Sequence, residues 1–150
     1  MQELPHVISI NISKGGIPKH PVKSIRVLYT GLEGDGHNHE KHYRTEQAVS
    51  IQDIERLEEL SKEGYSLLSG TTGENLTVKN LKVNELPVGT ILKISQGLII
   101  ELTKARKPCY VLDAIDLKLK EDIINRCGMY ARVVQEGAIQ VNDVITVERK

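Results

Sequence analysis

The residues best suited to chemistry stand around Cys109, in "TKARKPCYVLD". A thiolate, rather than a thiol, is the nucleophile and the metal ligand, and nearby cations favour it. Arg106 and Lys107 supply that charge if their side chains turn towards the sulfur. Pro108 fixes its own φ and biases Lys107 towards extended backbone, which suits a thiol presented at the end of a strand. The competing reading makes Cys109 a small buried hydrophobe, and the local sequence leaves both open. The other cysteine, Cys127 in "NRCGMYARV", falls in the expected last turn of a helix before a glycine. The negative end of a helix disfavours a thiolate, so Cys127 reads as structural, with a resolving role for Cys109 left open.

Three of the five histidines, His37, His39 and His42, crowd into "GLEGDGHNHEKHYR". Their spacing matches neither a helical zinc pair nor a zinc finger. Either the stretch is a polar turn in which Asp35 binds backbone amides, or His37, His42, Lys41 and Arg44 offer donors to an anionic ligand. "SGTTGENLTV" is a second Gly- and Thr-rich turn, with Asn75 as a polar donor and Glu74 able to orient a cation; it lacks the Gly-Lys-Ser/Thr ending of a phosphate loop. Lys14 and Lys19 surround a glycine pair in "SKGGIPKHP". Arg132 lies between Ala131 and Val133 in an apolar strand, so it needs an anionic partner: a carboxylate such as Asp35, or a ligand phosphate.

The elements that must hold these side chains are mostly strands. "HVISINIS" predicts a strand over Val7–Ile12, and "VKSIRVLY" alternates as a half-buried strand does. Ile51, Ile54, Leu57 and Leu60 recur at helical spacing, with Ser50 and Asp53 as a cap pair and Gly64 as the stop. "VGTILKIS" and "LIIELTKA" form a hairpin about "QG". A second helix is expected over Asp116–Arg126, closed by Gly128. Two strands follow around Glu136–Gly137, with a tight turn at Asn142–Asp143. No βαβ alternation is evident, which argues against a Rossmann-type sheet.

The 150 residues suit one domain, spanning 1–150, with an ordinary share of apolar (39%) and charged (27%) residues. Trp and Phe are absent, so the core must be aliphatic. Lys+Arg and Asp+Glu balance at 20 each, and no global field favours nucleic acid or a membrane surface. The opening residues do not read as a signal peptide, and the longest apolar runs are too short for a membrane span. Two cysteines without an export signal point to reduced thiols, so the cytoplasm is the expected compartment.

Taken in order, "SKGGIPKHPV", "GLEGDGHNHEKH", "TGENLTV", "LPVGTILKI", "RKPCYVLD" and "RCGMYARVVQEGAIQVNDVI" resemble the MOSC domain. This is the C-terminal module of molybdenum-cofactor sulfurases, found also as small standalone bacterial proteins. The resemblance implies a mostly β fold, a closed or nearly closed barrel with two or three short helices. It implies that Cys109 matches the family's cysteine, which ligates the metal in members that hold the molybdenum cofactor and is proposed to carry sulfur in others. Lys14, Lys19, His37, His42, Asn75, Arg44, Arg106 and Arg132 are then the expected cofactor-binding side chains, if the fold gathers them. Three functions follow: a component of a molybdenum-dependent reductase of N-hydroxylated compounds, served by a redox partner; a persulfide carrier served by a cysteine desulfurase; or a non-catalytic module for a small-molecule ligand. The extra N-terminal β domain of the larger reductases and the desulfurase domain of the sulfurases are not expected within these residues. The oligomeric state and the substrate are left open by the sequence.

Overall fold

The computed structural model describes residues 4–13, 19–35, 45–94, 97–107 and 116–148. β1 (His6–Ile12) leads to the short β2 (His20–Val22), then β3 (Ser24–Leu28) and β4 (Gly31–Leu32). β5 (Val49–Asp53), α1 (Ile54–Lys62) and β6 (Leu76–Lys79) follow. β7 (Ile91–Ile94) and β8 (Leu98–Ala105) precede a one-turn α2 (Leu119–Asp122). β9 (Met129–Gln135), β10 (Gly137–Gln140) and β11 (Ile145–Glu148) complete the described chain.

Strands dominate, as expected, in two sheets: one of eight strands ordered β11-β7-β8-β9-β5-β6-β1-β2, and one of three ordered β10-β3-β4. An aliphatic core joins them, with Val27, Leu32 and Ile139 of the small sheet packed among Ile10, Ile51, Leu76, Leu92, Ile100 and Leu102 of the large one. The barrel itself is not confirmed. Neither ladder returns to its first strand among the described residues, and one isolated bridge, His6 to Val144, joins β1 to the residue before β11.

Several boundaries differ from the pattern reading. Ile51 belongs to a strand, not to α1. Val49–Asp53 is buried throughout and paired on both edges, parallel to β6 and antiparallel to β9. Ladder bonds on two sides outweigh a helical spacing that a short apolar run only mimics. Ser50 is therefore no cap. Asp53 does stand at the helix N-cap, but its carboxylate accepts from the Val83 backbone N at 3.0 and 3.2 Å rather than from the helix. The unit β5-α1-β6 is a βαβ crossover that the sequence reading missed, set in an otherwise antiparallel sheet.

The second helix is also shorter than expected, at Leu119–Asp122. Asp116 does order its entry, because Oδ1 accepts from the Lys118 N at 2.8 Å. Asn125, with φ of 67°, stops the turn early. Cys127 thus lies beyond the helix, 3% exposed, in a second apolar cluster with Leu57, Leu60, Leu67, Leu119 and Ile123. "VKSIRVLY" divides at Lys23 into β2 and β3, which join different sheets. β7 and β8 form the expected hairpin, with Ile94 opposite Leu98. The tail holds three strands that pair with separate partners rather than with one another.

Candidate functional site

Asp35, just after β4, has a fully buried side chain. Its Oδ1 accepts from Lys19 Nζ at 2.6 Å and from the Ser13 backbone N at 3.0 Å. Its Oδ2 accepts from Asn75 Nδ2 at 3.1 Å. Asn75 precedes β6 and spends its remaining capacity on the Ser50 N and Oγ and on the Asn11 carbonyl. Glu74, also fully buried, accepts from Thr72 Oγ1 at 2.8 Å and from the Gly70 N and Thr77 Oγ1 at 2.9 Å. Thr77 Oγ1 in turn accepts from Asn11 Nδ2. A buried polar network thus runs from Lys19 to Thr72, with each carboxylate satisfied by several donors.

Arg106 extends that network. Its Nη2 donates to the Thr72 carbonyl at 2.9 Å and its Nη1 to the Cys127 carbonyl at 3.2 Å. Its Nε is buried without a hydrogen-bond partner. Burial works against the charge, but the nearness of Cys127, Tyr130 and Glu74 outweighs it and holds the proton above the usual arginine range. The guanidinium is therefore positioned by backbone carbonyls and carries its charge without a directly bonded carboxylate.

Lys19, Asn75 and Arg106 thus share one connected region. Arg132 does not join it. On β9 it faces away from the buried Ala131 and Val133, and it pairs with Glu101 across the ladder, Nε to Oε1 at 2.7 Å. The expected partner, Asp35, is held by Lys19 and Asn75 instead. An Arg132→Gln change is expected to cost less than about 1 kcal/mol, the usual worth of an exposed pair, as read by urea denaturation. A loss of several kcal/mol would show that the pair does more than decorate the surface.

Lys14, His37, His42, Arg44 and Cys109 lie outside the described residues, as does His39. The residues that flank them, Ser13 and Lys19, Asp35, and Arg106, are all members of the buried network. Among the described residues no three His, Cys, Asp or Glu side chains gather to hold a metal. Tyr130 was missed by sequence reasoning. Its ring centroid lies 5.8 Å from Arg106 Cζ and 5.9 Å from Lys104 Nζ, a pairing set by the β8–β9 register. No helix among the described residues is long and apolar enough to cross a membrane.

The MOSC domain model matches residues 38–146, and the chain belongs to that family. The Bacillus subtilis protein YflK is 29% identical over 92% of this chain and 71% of its own length. A protein of Gibberella moniliformis named a reductase is 29% identical over 79% of this chain, which spans only 22% of that longer protein. Among solved structures, YuaD of Bacillus subtilis superposes with a TM-score of 0.81 at 18% identity, over 97% of this chain and 96% of that one. YiiM of Geobacillus stearothermophilus gives 0.80 at 23% identity, over 97% and 75%. At these identities the structural likeness speaks for the fold.

Proposed function

We propose that this protein holds the molybdenum cofactor, with Cys109 as a thiolate ligand to the metal, and acts as the terminal unit of a reductase. The observation that carries the reading is the family match over 38–146, which contains Cys109 three residues beyond the carbonyl-anchored Arg106. The described side chains fit an anionic group. Arg106 brings a positive charge with a spare buried Nε, and no carboxylate is directly bonded to it. The reductase name of the Gibberella relative favours reduction, and N-hydroxylated compounds are the substrate class that the family suggests.

When bound, the cofactor would supply the two-electron chemistry. The chain's own part is ligation and orientation. Cys109 would stay ionised under the influence of Arg106 and Lys107, which is what a soft metal ligand requires. The network through Glu74, Asn75 and Asp35 would hold Lys19 and, through Thr72, Arg106 in place. Electrons would come from a separate redox protein in the cytoplasm. That the matched segment is a minor part of the Gibberella protein agrees with a division of labour between modules.

Expression with molybdate followed by elemental analysis tests the reading. Wild type and Cys127→Ala should contain molybdenum, and Cys109→Ala should have lost most of it. Equal metal in wild type and Cys109→Ala would remove the ligand role. A persulfide mass shift on Cys109 after incubation with a cysteine desulfurase, without bound molybdenum, would assign the protein to sulfur carriage instead.

A further inference from the structure

Where β8 ends, Lys104, Ala105 and Lys107 line a cleft of about 300 Å³ together with Gln47 and Tyr130. That volume is at the lower end of the range for small-molecule sites. Its charge is one-sided. Lys104 and Lys107 are exposed, and neither makes a salt bridge with a carboxylate among the described residues. Arg106, between them in sequence, lies 5.8 Å from the Tyr130 ring and leaves its Nε unpartnered. Lys104 and Arg106 thus flank one aromatic ring, and Lys104 and Lys107 stand on the cleft wall.

The backbone contributes to this collection. β8 and β9 slip register between Leu102 and Lys104, so that Leu102 faces Ala131 and Lys104 faces Tyr130. A bulge of this kind re-aims side chains, and here it sets Lys104 against the ring. The cation-bearing end of β8 is also anchored, because the Arg106 N donates to the Gly128 carbonyl at 3.0 Å and the guanidinium is held by two further carbonyls. Two like charges on one cleft wall repel unless an anion joins them, and a doubly charged anion balances both.

We infer that this cleft is an oxyanion site for a phosphoryl group, with Lys104 and Lys107 as its direct cations and Tyr130 as the plate that aligns Lys104. A dianion matches the two lysines of the cleft wall better than a single carboxylate, which would leave one of them unbalanced. The phosphoryl group is that of a free phosphate monoester, distinct from the phosphate of a bound pterin cofactor. Lys107 precedes Cys109 by two residues in the chain, but the site does not require Cys109 to hold a metal, and its main test uses protein without molybdenum.

Titration calorimetry with inorganic phosphate at low ionic strength is the experiment. Wild type should bind saturably, and added salt should weaken binding. The Lys104→Gln, Lys107→Gln double variant should bind about tenfold or more weakly, as two lost charge contacts imply, with an unchanged melting temperature. The Lys104→Arg, Lys107→Arg variant should recover most of the affinity, which a merely structural role would not predict. Absence of saturable binding by wild type, or equal affinity in the double glutamine variant, overturns the proposal. Repeating the titration on molybdenum-containing protein separates the two: unchanged affinity supports a free ester, and exclusion of phosphate overturns the proposal, because the cofactor's own phosphate then fills the cleft.

Discussion

Gly128→Ala is expected to destabilise the protein by about 3–5 kcal/mol, through a left-handed backbone and a steric overlap acting together. Gly128 has a φ of 86°, and a Cβ built there would lie 2.0 Å from the Ile51 carbonyl oxygen and 3.0 Å from its carbon. Those are backbone atoms of β5, which is paired on both edges and cannot move aside. Gly64 is the matched control. Its φ is 110°, but nothing lies within 4 Å of the added carbon. Gly64→Ala should therefore cost only the conformational part, about 1–2 kcal/mol. Urea denaturation of the two variants measures the difference directly, and equal losses would mean that the contact with β5 relaxes. Gly128 also bears on the cleft. Its carbonyl receives the Arg106 N and Asn84 Nδ2, and its own N donates to Asn84 Oδ1 at 2.9 Å. Displacing it shifts the anchor of Arg106, so phosphate binding should weaken in whatever fraction of the variant remains folded.

The readable parts of this fold were those decided locally. Gly64 stands just past the end of α1, as its place in the sequence suggests, and adopts the left-handed backbone that only glycine takes cheaply; Gly128 adopts it too, but six residues beyond the end of α2, where it meets β5 rather than closing the helix. The β7–β8 hairpin is also a local matter, with apolar strands on either side of a glycine turn. What failed to show was whatever depends on partners far along the chain. Ile51 reads as helical until β6 and β9 claim both edges of its strand. Asn11, unremarkable in "SINIS", reaches the Glu74 carbonyl and Thr77 Oγ1 from 63 and 66 residues away. Glu74 suggests a residue that orients a cation; it does so only indirectly, by holding Thr72, whose carbonyl receives Arg106. The neighbour of Arg132 depends on a ladder register that slips between Leu102 and Lys104, a shift with no visible mark in "ELTKARK". The same slip brings Lys104 to Tyr130, so the cation-rich cleft became legible only with the strands in place. Residue types signalled that Arg106 and Lys107 were worth attention; geometry supplied the other wall.

A second large effect is expected at Asp53, and its signature is pH dependence. Asp53 is 2% exposed, and burial pushes its carboxyl up to about 6, against hydrogen bonding from the Val83 N. Glu55 adds to the rise and Arg56 opposes it. Lys82, Glu59, Glu85 and Asn80 complete the cleft wall beside it, and the Asn80 N is engaged by Glu55 Oε2. A carboxyl whose folded value exceeds its unfolded value of 3.8 binds more protons when folded between those two points. Its contribution to stability is therefore greatest below about pH 4, declines as pH rises towards 6, and stays low above that. Asp53→Asn keeps an acceptor for the Val83 N and removes the buried charge. At pH 7 the gain should approach about 2 kcal/mol, less whatever the new amide N–H groups cost if they find no acceptor. Below pH 4 the wild-type and variant curves should converge. The N-cap position does not complicate the comparison, because Asn and Asp serve about equally well there. Chemical denaturation at intervals from pH 4 to 8 is the measurement. Parallel curves for the two proteins would show that Asp53 ionises at its ordinary value, with water reaching it in the native state.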